Sequence, residues 1–362
     1  MKNRITIVAL IMGAVVFSYQ RLNAQDATFT QVYANPLLLN PAIMGASNDI
    51  TAGLSYRNQW GSISNGYSDY SFNGMYPIHF GSDNKGKLDA GLSVMEDKAG
   101  AFTQLSALLA VDYTREIAED QHLCAALLGG YGQYAVSTSG LTFDDQYVMG
   151  GYNSSNPSSE TMLSQKKGYA DVGFGFTWVM NPSRDKSKIN AYLGIAGFHM
   201  NEPNTSFTGS VSRLPIRMSY LAGIKIFESD KIDITPNAIV NTQNGNIESA
   251  IGTYVDYIFN ENLKLTLGVW YRRNDAIAIL VGCEFKGFSL GYSYDADIST
   301  VSNFATGINA NEITLSYRLG KHSGGGSKAS FTDSSGSTLG GSAGKGAGAS
   351  SDDSNPSPFP HY

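Results

Sequence analysis

"NLKLTLGVWY", residues 262–271, alternates from end to end: Leu263, Leu265, Leu267, Val269 and Tyr271 share one face of an extended chain, and Lys264, Thr266 and Gly268 share the other. The pattern predicts a strand with one apolar and one polar side. It returns in "IRMSYLAGIKIF" from Ile216, "KLDAGLSVM" from Lys87, "DVGFGFTWVM" from Asp171 and "EITLSYRL" from Glu312. A soluble sandwich would alternate too, with one face on a core and the other in water. Length and number separate the two architectures.

The segments run near ten residues, against about 5–6 for soluble strands and about 9–11 for a tilted membrane strand. Fourteen of them begin near Ile50, Tyr70, Lys87, Ala101, His122, Tyr169, Ile189, Ile216, Lys231, Glu248, Asn262, Ala276, Gly287 and Glu312. An even number lets an antiparallel barrel close with both ends on the periplasmic side. Closure is required because lipid cannot satisfy a free sheet edge. The expected fold is therefore all-β, a transmembrane antiparallel β-barrel of about fourteen strands over residues 50–319. Long polar stretches at residues 137–168, 200–214 and 295–311 are expected on the outer surface, and short ones such as "GSDNKG" (81–86) on the inner side.

Composition agrees with a membrane barrel. The chain has 40 glycines and 21 tyrosines but only 15% charged residues, thin solubilising charge for a protein of 362 residues. Residues 1–24 read as a signal peptide, with Lys2 and Arg4 before the apolar stretch 5–19 and a small-residue site at Leu22-Asn23-Ala24. Removing its three basic residues takes the formal charge from −6 to −9, so nucleic acid is not an expected partner. Gln25, not cysteine, follows the cleavage site, which argues against a lipid anchor. Cys124 and Cys283 lie in separate apolar stretches and read as unpaired thiols. After Leu319 the chain turns into a Gly/Ser-rich tail, with 20 such residues among 321–362, read as a flexible periplasmic tether or, through its aromatic end "PSPFPHY", as a partner-docking segment.

Motifs for chemistry are lacking. The five histidines are scattered and form no metal spacing, no GxSxG elbow occurs, and "GGYGQYAVSTSG" precedes no helix. Asp144-Asp145 read as a solvated loop pair. No enzyme and no cofactor are expected. Arg217, Lys225, Lys264, Glu284, Glu312 and Arg318 fall on the polar faces of their strands. They read either as a rigidifying network of opposite charges or, with Asp295, as contacts for a polypeptide held in the lumen and outer loops. Trp178, Trp270, Tyr271, Tyr292 and Tyr294 read as aromatic girdle.

One segment fits neither strand nor helix. "FTQVYANPLLLNPAIMGA" (29–46) sets three leucines between Asn35-Pro36 and Asn40-Pro41, and each proline removes a donor and extends the residue before it. A fourteen-stranded lumen needs filling, so residues 25–49 are expected to form a partial plug at the periplasmic end.

That segment, with its Asn35, Pro36, Asn40, Pro41 and Gly45, resembles the start of the PorP/SprF family of type IX secretion-associated outer-membrane proteins. The resemblance continues in order through "YRNQW" (Tyr56, Arg57 to Trp60), "RLPIRMSYLAG" (213–223), "YRRNDA" (271–276), "LGYSYDADIST" (290–300) and "NEITLSYRL" (311–319). Asn311 stands where family members usually carry a histidine, and the tail lies outside the resemblance. The resemblance implies a non-enzymatic barrel that binds the C-terminal domain of a large type IX-secreted adhesin, works with secretion or gliding machinery, and sits among outer-membrane lipids. A passive or substrate-specific porin is the rival expectation from the barrel alone.

Overall fold

The structure is a computed structural model that describes residues 26–47, 49–61, 66–79, 86–137, 141–148, 151–153, 155–156, 166–180, 190–260, 262–299 and 309–319. The signal peptide expected at residues 1–24 and the tail expected at residues 320–362 lie outside the described residues. Fourteen antiparallel strands alternate up and down: β1 (Ile50–Gln59), β2 (Tyr67–His79), β3 (Gly86–Ala99), β4 (Phe102–Ala118), β5 (Gln121–Val136), β6 (Lys166–Met180), β7 (Asn190–Phe198), β8 (Arg217–Lys225), β9 (Ile232–Gln243), β10 (Asn246–Asn260), β11 (Leu263–Arg272), β12 (Ala276–Phe285), β13 (Phe288–Asp297) and β14 (Ala310–Leu319). Every expected start lies within three residues of an observed one. The two-residue strand Phe227–Glu228 resumes the pairing of β8 with β9 after a break. A small hairpin, Tyr147–Val148 with Gly151–Tyr152, stands apart from the barrel inside the longest loop.

Closure is made by β1 against β14, in register from Ile50 opposite Leu319 to Gln59 opposite Ala310. Among the described barrel strands no edge is left to lipid. The strand ends joined by the three longest connections, 137–165, 199–216 and 298–309, lie at one end of the barrel, and Ile50 and Leu319, which begin and end its strands, lie at the other. By the rule for such barrels the first is the outer end and the second the periplasmic end. Tight turns follow their chemistry: Asn244-Gly245 and Lys286-Gly287 each place both residues at positive φ, as two-residue hairpin turns require.

The alternation read from residues 262–271 is the observed phase. Leu267 and Val269 are each 57% exposed on the outside of β11, whereas Thr266 is 2% exposed inside. Leu109, Leu127, Ile279, Leu290 and Leu315 continue the outer apolar band. Tyr56, Tyr70, Tyr271 and Tyr294 rim it above, and Tyr113, Tyr257, Phe285, Phe288 and Tyr317 below. Trp270 departs from the girdle expectation. It is one residue out of phase with Val269 and Tyr271, so it points inward and packs at 5.6 Å from Tyr254 and 6.4 Å from Tyr33. Strands β3 to β6 run 14–17 residues, more than a bilayer needs. Near the outer end of β3, Glu96 and Lys98 pair at 2.9 Å on the outer wall. Cys124 and Cys283 are both free thiols, the first buried.

Candidate functional site

The lumen is filled by the chain's own start. Residues 26–47 form a strap that enters at the outer end, where Asp26 meets the tops of β7, β8 and β9, and descends to the periplasmic end, where the Ser47 carbonyl accepts from Lys87. It then turns back into β1. The expected plug confined to the periplasmic end is therefore a strap running the height of the barrel, because charged partners for its first residues sit at the opposite mouth.

Its lower half forms short helical turns after all: a 3-10 turn at Val32–Ala34, an α-turn at Pro36–Leu39 and a 3-10 turn at Pro41–Ala46. Both prolines of the Asn-Pro pairs occupy the first position of a turn, where a missing donor costs nothing and the fixed φ is already helical. The asparagines join strap to wall. Asn40 Oδ1 caps the third turn by accepting from Ala42 N at 2.9 Å, while its Nδ2 donates to Thr177 Oγ1 at 3.1 Å and to the carbonyls of Phe176 and Ile195. Asn35 Nδ2 donates to Ser55 Oγ at 3.1 Å, and its Oδ1 accepts from Ser71 and from Asn73 at 2.7 Å.

Apolar side chains between these asparagines find a core inside the barrel. Leu37, Leu39, Ile43 and Met44 are buried against wall residues such as Leu108, Leu128, Leu221 and Ile239. Each contributes about 1.5–3 kcal/mol over exposure. Room is made by glycines: a Cβ at Gly91 would overlap Met44, one at Gly175 would overlap Asn40, and one at Gly45 would overlap Thr114 and Cys124. The Tyr33 hydroxyl lies 2.6 Å from that of Tyr192 in mid-lumen.

The upper half is held by charge. The Thr30 hydroxyl donates to Asp295 Oδ2 at 2.6 Å and accepts from Arg57 Nη1 at 2.8 Å and Arg272 Nη1 at 3.1 Å, which uses its whole capacity. Glu312 receives two successive backbone amides, Thr30 N at 2.7 Å and Gln31 N at 2.9 Å. Gln31 is read as well: its Nε2 donates to the Glu312 carbonyl at 3.3 Å and its Oε1 accepts from Thr314 at 2.7 Å. Ion pairs from Asp295 to Arg57 (2.8 Å) and to Arg272 (2.7 Å) tie β1, β11 and β13 together around the strap. These groups are all buried, so each carboxylate depends on its cation.

A second grip holds Asp26. Its Oδ2 lies 2.8 Å from His199 Nε2 and 3.1 Å from Arg217 Nε, and its Oδ1 accepts from Gln243 Nε2 at 3.2 Å. His199 Nδ1 is 2.8 Å from Asp171 Oδ2, an ion-pair approach rather than an aligned hydrogen bond. Burial opposes a charge on His199, but the adjacent carboxylates of Asp171 and Asp26 outweigh it and raise the pKa to about 9. Burial likewise opposes the Asp26 carboxylate, and Arg217 with His199 reverses this and holds it well below the usual range. His199 carries φ +57°, uncommon for a residue with a Cβ, and these contacts hold it there.

The sequence-derived candidates therefore divide. Arg217, Asp295 and Glu312 meet the strap at the outer end, together with Arg57. Lys225, Lys264, Glu284 and Arg318 lie at the periplasmic rim in local pairs, Lys225 with Asp233 at 3.1 Å and Lys264 with Glu284 at 3.3 Å; Arg318 pairs with Glu284 and reaches Asp49 at 3.9 Å. Tyr56 faces lipid beside Tyr70, their rings 4.9 Å apart. Trp60 lies at the mouth against Tyr67 with φ +58°. Arg272, Thr30, Gln31, Asp26 and His199 were missed. Phase alone could have found Arg272, which shares the inner face with Thr266. Among the described residues no cluster could hold a metal ion.

With the clamp in view, the motifs shared with a known family acquire a structural role: "YRNQW" supplies Arg57, "YRRNDA" Arg272, "LGYSYDADIST" Asp295 and "NEITLSYRL" Glu312. A family model described as type IX secretion system membrane protein PorP/SprF matches residues 21–317. No curated protein matches the chain. Among solved structures, the Pseudomonas putida toluene transporter TodX is similar at 9% identity, TM-score 0.49, over 83% of this chain and 96% of that one. A Pseudomonas aeruginosa FadL homologue gives 11% identity and TM-score 0.48 over 79% and 93%. The CymD monoaromatic hydrocarbon channel gives 12% and 0.47 over 79% and 91%.

Proposed function

The chain belongs to the PorP/SprF family of type IX secretion system membrane proteins and is an outer-membrane β-barrel associated with that system, and from this premise we propose that its outer end binds the C-terminal domain of a secreted surface adhesin. In this reading the barrel has no enzymatic role and supports secretion and attachment of the adhesin at the cell surface, in adhesion or gliding. The observation that carries the proposal is the filled lumen. A porin needs a continuous path, whereas here the strap occupies the height of the barrel, and a crevice beside it lined by Thr28, Ile239 and Trp270 measures about 20 Å³, room for about one water. What such a barrel presents outward is surface: the long connections 137–165, 199–216 and 298–309 above a rigid wall.

Deleting residues 153–164 from the longest loop should leave a folded, heat-modifiable barrel while surface display of the partner falls. The intact protein should be electrically silent in a planar bilayer and should retain one very large polypeptide through mild-detergent purification. Normal display after the deletion, free ion conduction and no large companion would together replace this reading with a porin.

A further inference from the structure

The grip on Thr30 and Gln31 has the form of a peptide-binding site. Glu312 takes two consecutive main-chain amides with its two oxygens, and a ring of Arg57, Arg272 and Asp295 saturates one hydroxyl. Thr314 and the Glu312 carbonyl read the amide side chain that follows. Four positions before the hydroxyl, Arg217 and His199 take a carboxylate. The lower half of the strap fills space with leucines against glycines and is pinned by the amides of Asn35 and Asn40 and by Arg217 at the Leu38 carbonyl. The upper half satisfies a pattern of charged and polar groups: acid, three residues, hydroxyl, amide.

Two further observations bear on this site. The first is room: a crevice runs between residues 28–32 and the wall at Ile239, Ala250 and Trp270, although Gly291 behind the Gln31 side chain is packed as tightly as the glycines facing the lower turns. The second is position: a small crevice at the outer end of the strands is lined by Arg57, Arg272 and Asp295 together with Gln59, Trp60, Asp275 and Asp297. Capacity also remains: Arg57 Nε and Asp295 Oδ1 are buried without a hydrogen-bond partner among the described residues.

We propose that this clamp is a polypeptide-binding site held in cis by residues 26–31, and that an extended segment of the secreted partner carrying the same acid, hydroxyl and amide pattern displaces them. The strap's head is then a placeholder, and its foot, fitted below, keeps the lumen closed while the head exchanges. This rests on the docking reading above and adds to it where and by what chemistry the partner is gripped.

The test needs no adhesin, so its failure and that of the docking reading can be told apart. A fluorescent peptide with the sequence of residues 26–34 is titrated against the full-length purified barrel carrying Thr30→Val and Gln31→Ala, which weaken the cis occupant. Binding at least about tenfold tighter than to the native barrel is expected, and it should vanish for the same peptide with Val at the position of Thr30, and for a barrel that also carries Glu312→Gln. A heat-modifiable double variant that takes no peptide, or takes both peptides equally, overturns the proposal. Should the variant not fold, hydrogen exchange on the native protein decides. The Thr30 and Gln31 amides should exchange at least about tenfold faster than those of Asn40 and Ile43, through local opening. Exchange of both pairs at one common rate overturns it.

Discussion

Residues 26–31 and residues 36–46 are parts of one segment in one lumen, yet the first is met mainly by charged side chains of several strands and the second mainly by leucines, alanines and glycines. In the upper half the strap contributes two hydroxyls, an amide, a carboxylate and three backbone donors, and the wall contributes the complementary groups. In the lower half it contributes chiefly volume, set against absence of volume in the wall, with Asn40 and the Leu38 carbonyl as its polar ties. A fit of shapes fixes position but reads little. A set of directed bonds between buried charges reads much, and fails as a unit when one member is removed.

The largest expected effect comes from removing one cation of the upper half. Arg57→Ala leaves Asp295 and Glu312 buried with less compensation, and breaking a buried ion pair from one side costs about 3–5 kcal/mol. The measurement is urea unfolding of the barrel refolded in detergent or lipid, with Lys264→Ala as control, since that pair is partly exposed at the rim and worth about 0.2–1 kcal/mol. Equal losses would mean that the clamp is no more than another ion pair.

Next in size is a probe of the lower half. Gly175→Val places a branched side chain where Asn40 and the Ala42 amide now lie, so the third turn must leave its seat or the wall must give. Overpacking of this kind costs typically about 1–3 kcal/mol. Unlike Arg57→Ala, it should open the lumen from below while the upper grip persists. Single-channel recording should then show conductance where the native barrel is silent, with the Thr30 and Gln31 amides still protected. Continued silence with unchanged stability would show that shape fit does not hold the foot.

Much of the barrel could be read from the chain because alternation encodes phase directly: Leu265 and Leu267 outside, Thr266 inside. Turns such as Asn244-Gly245 announce themselves by the same local logic. What fills the lumen is not local. Thr30 meets Asp295 and Glu312 across more than 260 residues of sequence, and no periodicity carries that distance. The course of the strap was hidden for the same reason, since its apolar run "PLLL" signals burial but not which end of the barrel it enters. Trp270 misled because an aromatic at a strand end suits a girdle in general. Only the presence of Tyr33 inside makes the inward phase favourable for it.

The smallest effect, and the one that separates the two grips of the upper half from each other, is that of pH on Asp26. His199 has a folded-state pKa of about 9 against an ordinary value of 6.5, so its bond to Asp26 stabilises fully below about pH 6.5 and is lost as pH rises through 9. Asp26 stays ionised throughout, because its pKa is held low. Arg217 faces Asp26 at 3.1 Å and remains a second partner for it. The head should therefore loosen at residue 26 without leaving the clamp at residue 30. A spin label on Ala27→Cys, in a Cys283→Ser background with Cys124 buried, should become more mobile between pH 8 and 10, reversibly. The same label in a His199→Gln barrel should be mobile at every pH and show no transition. A label that stays immobile to pH 10 would mean that Arg217 and Gln243 alone hold Asp26, and that the histidine at the mouth serves its own backbone geometry rather than the strap.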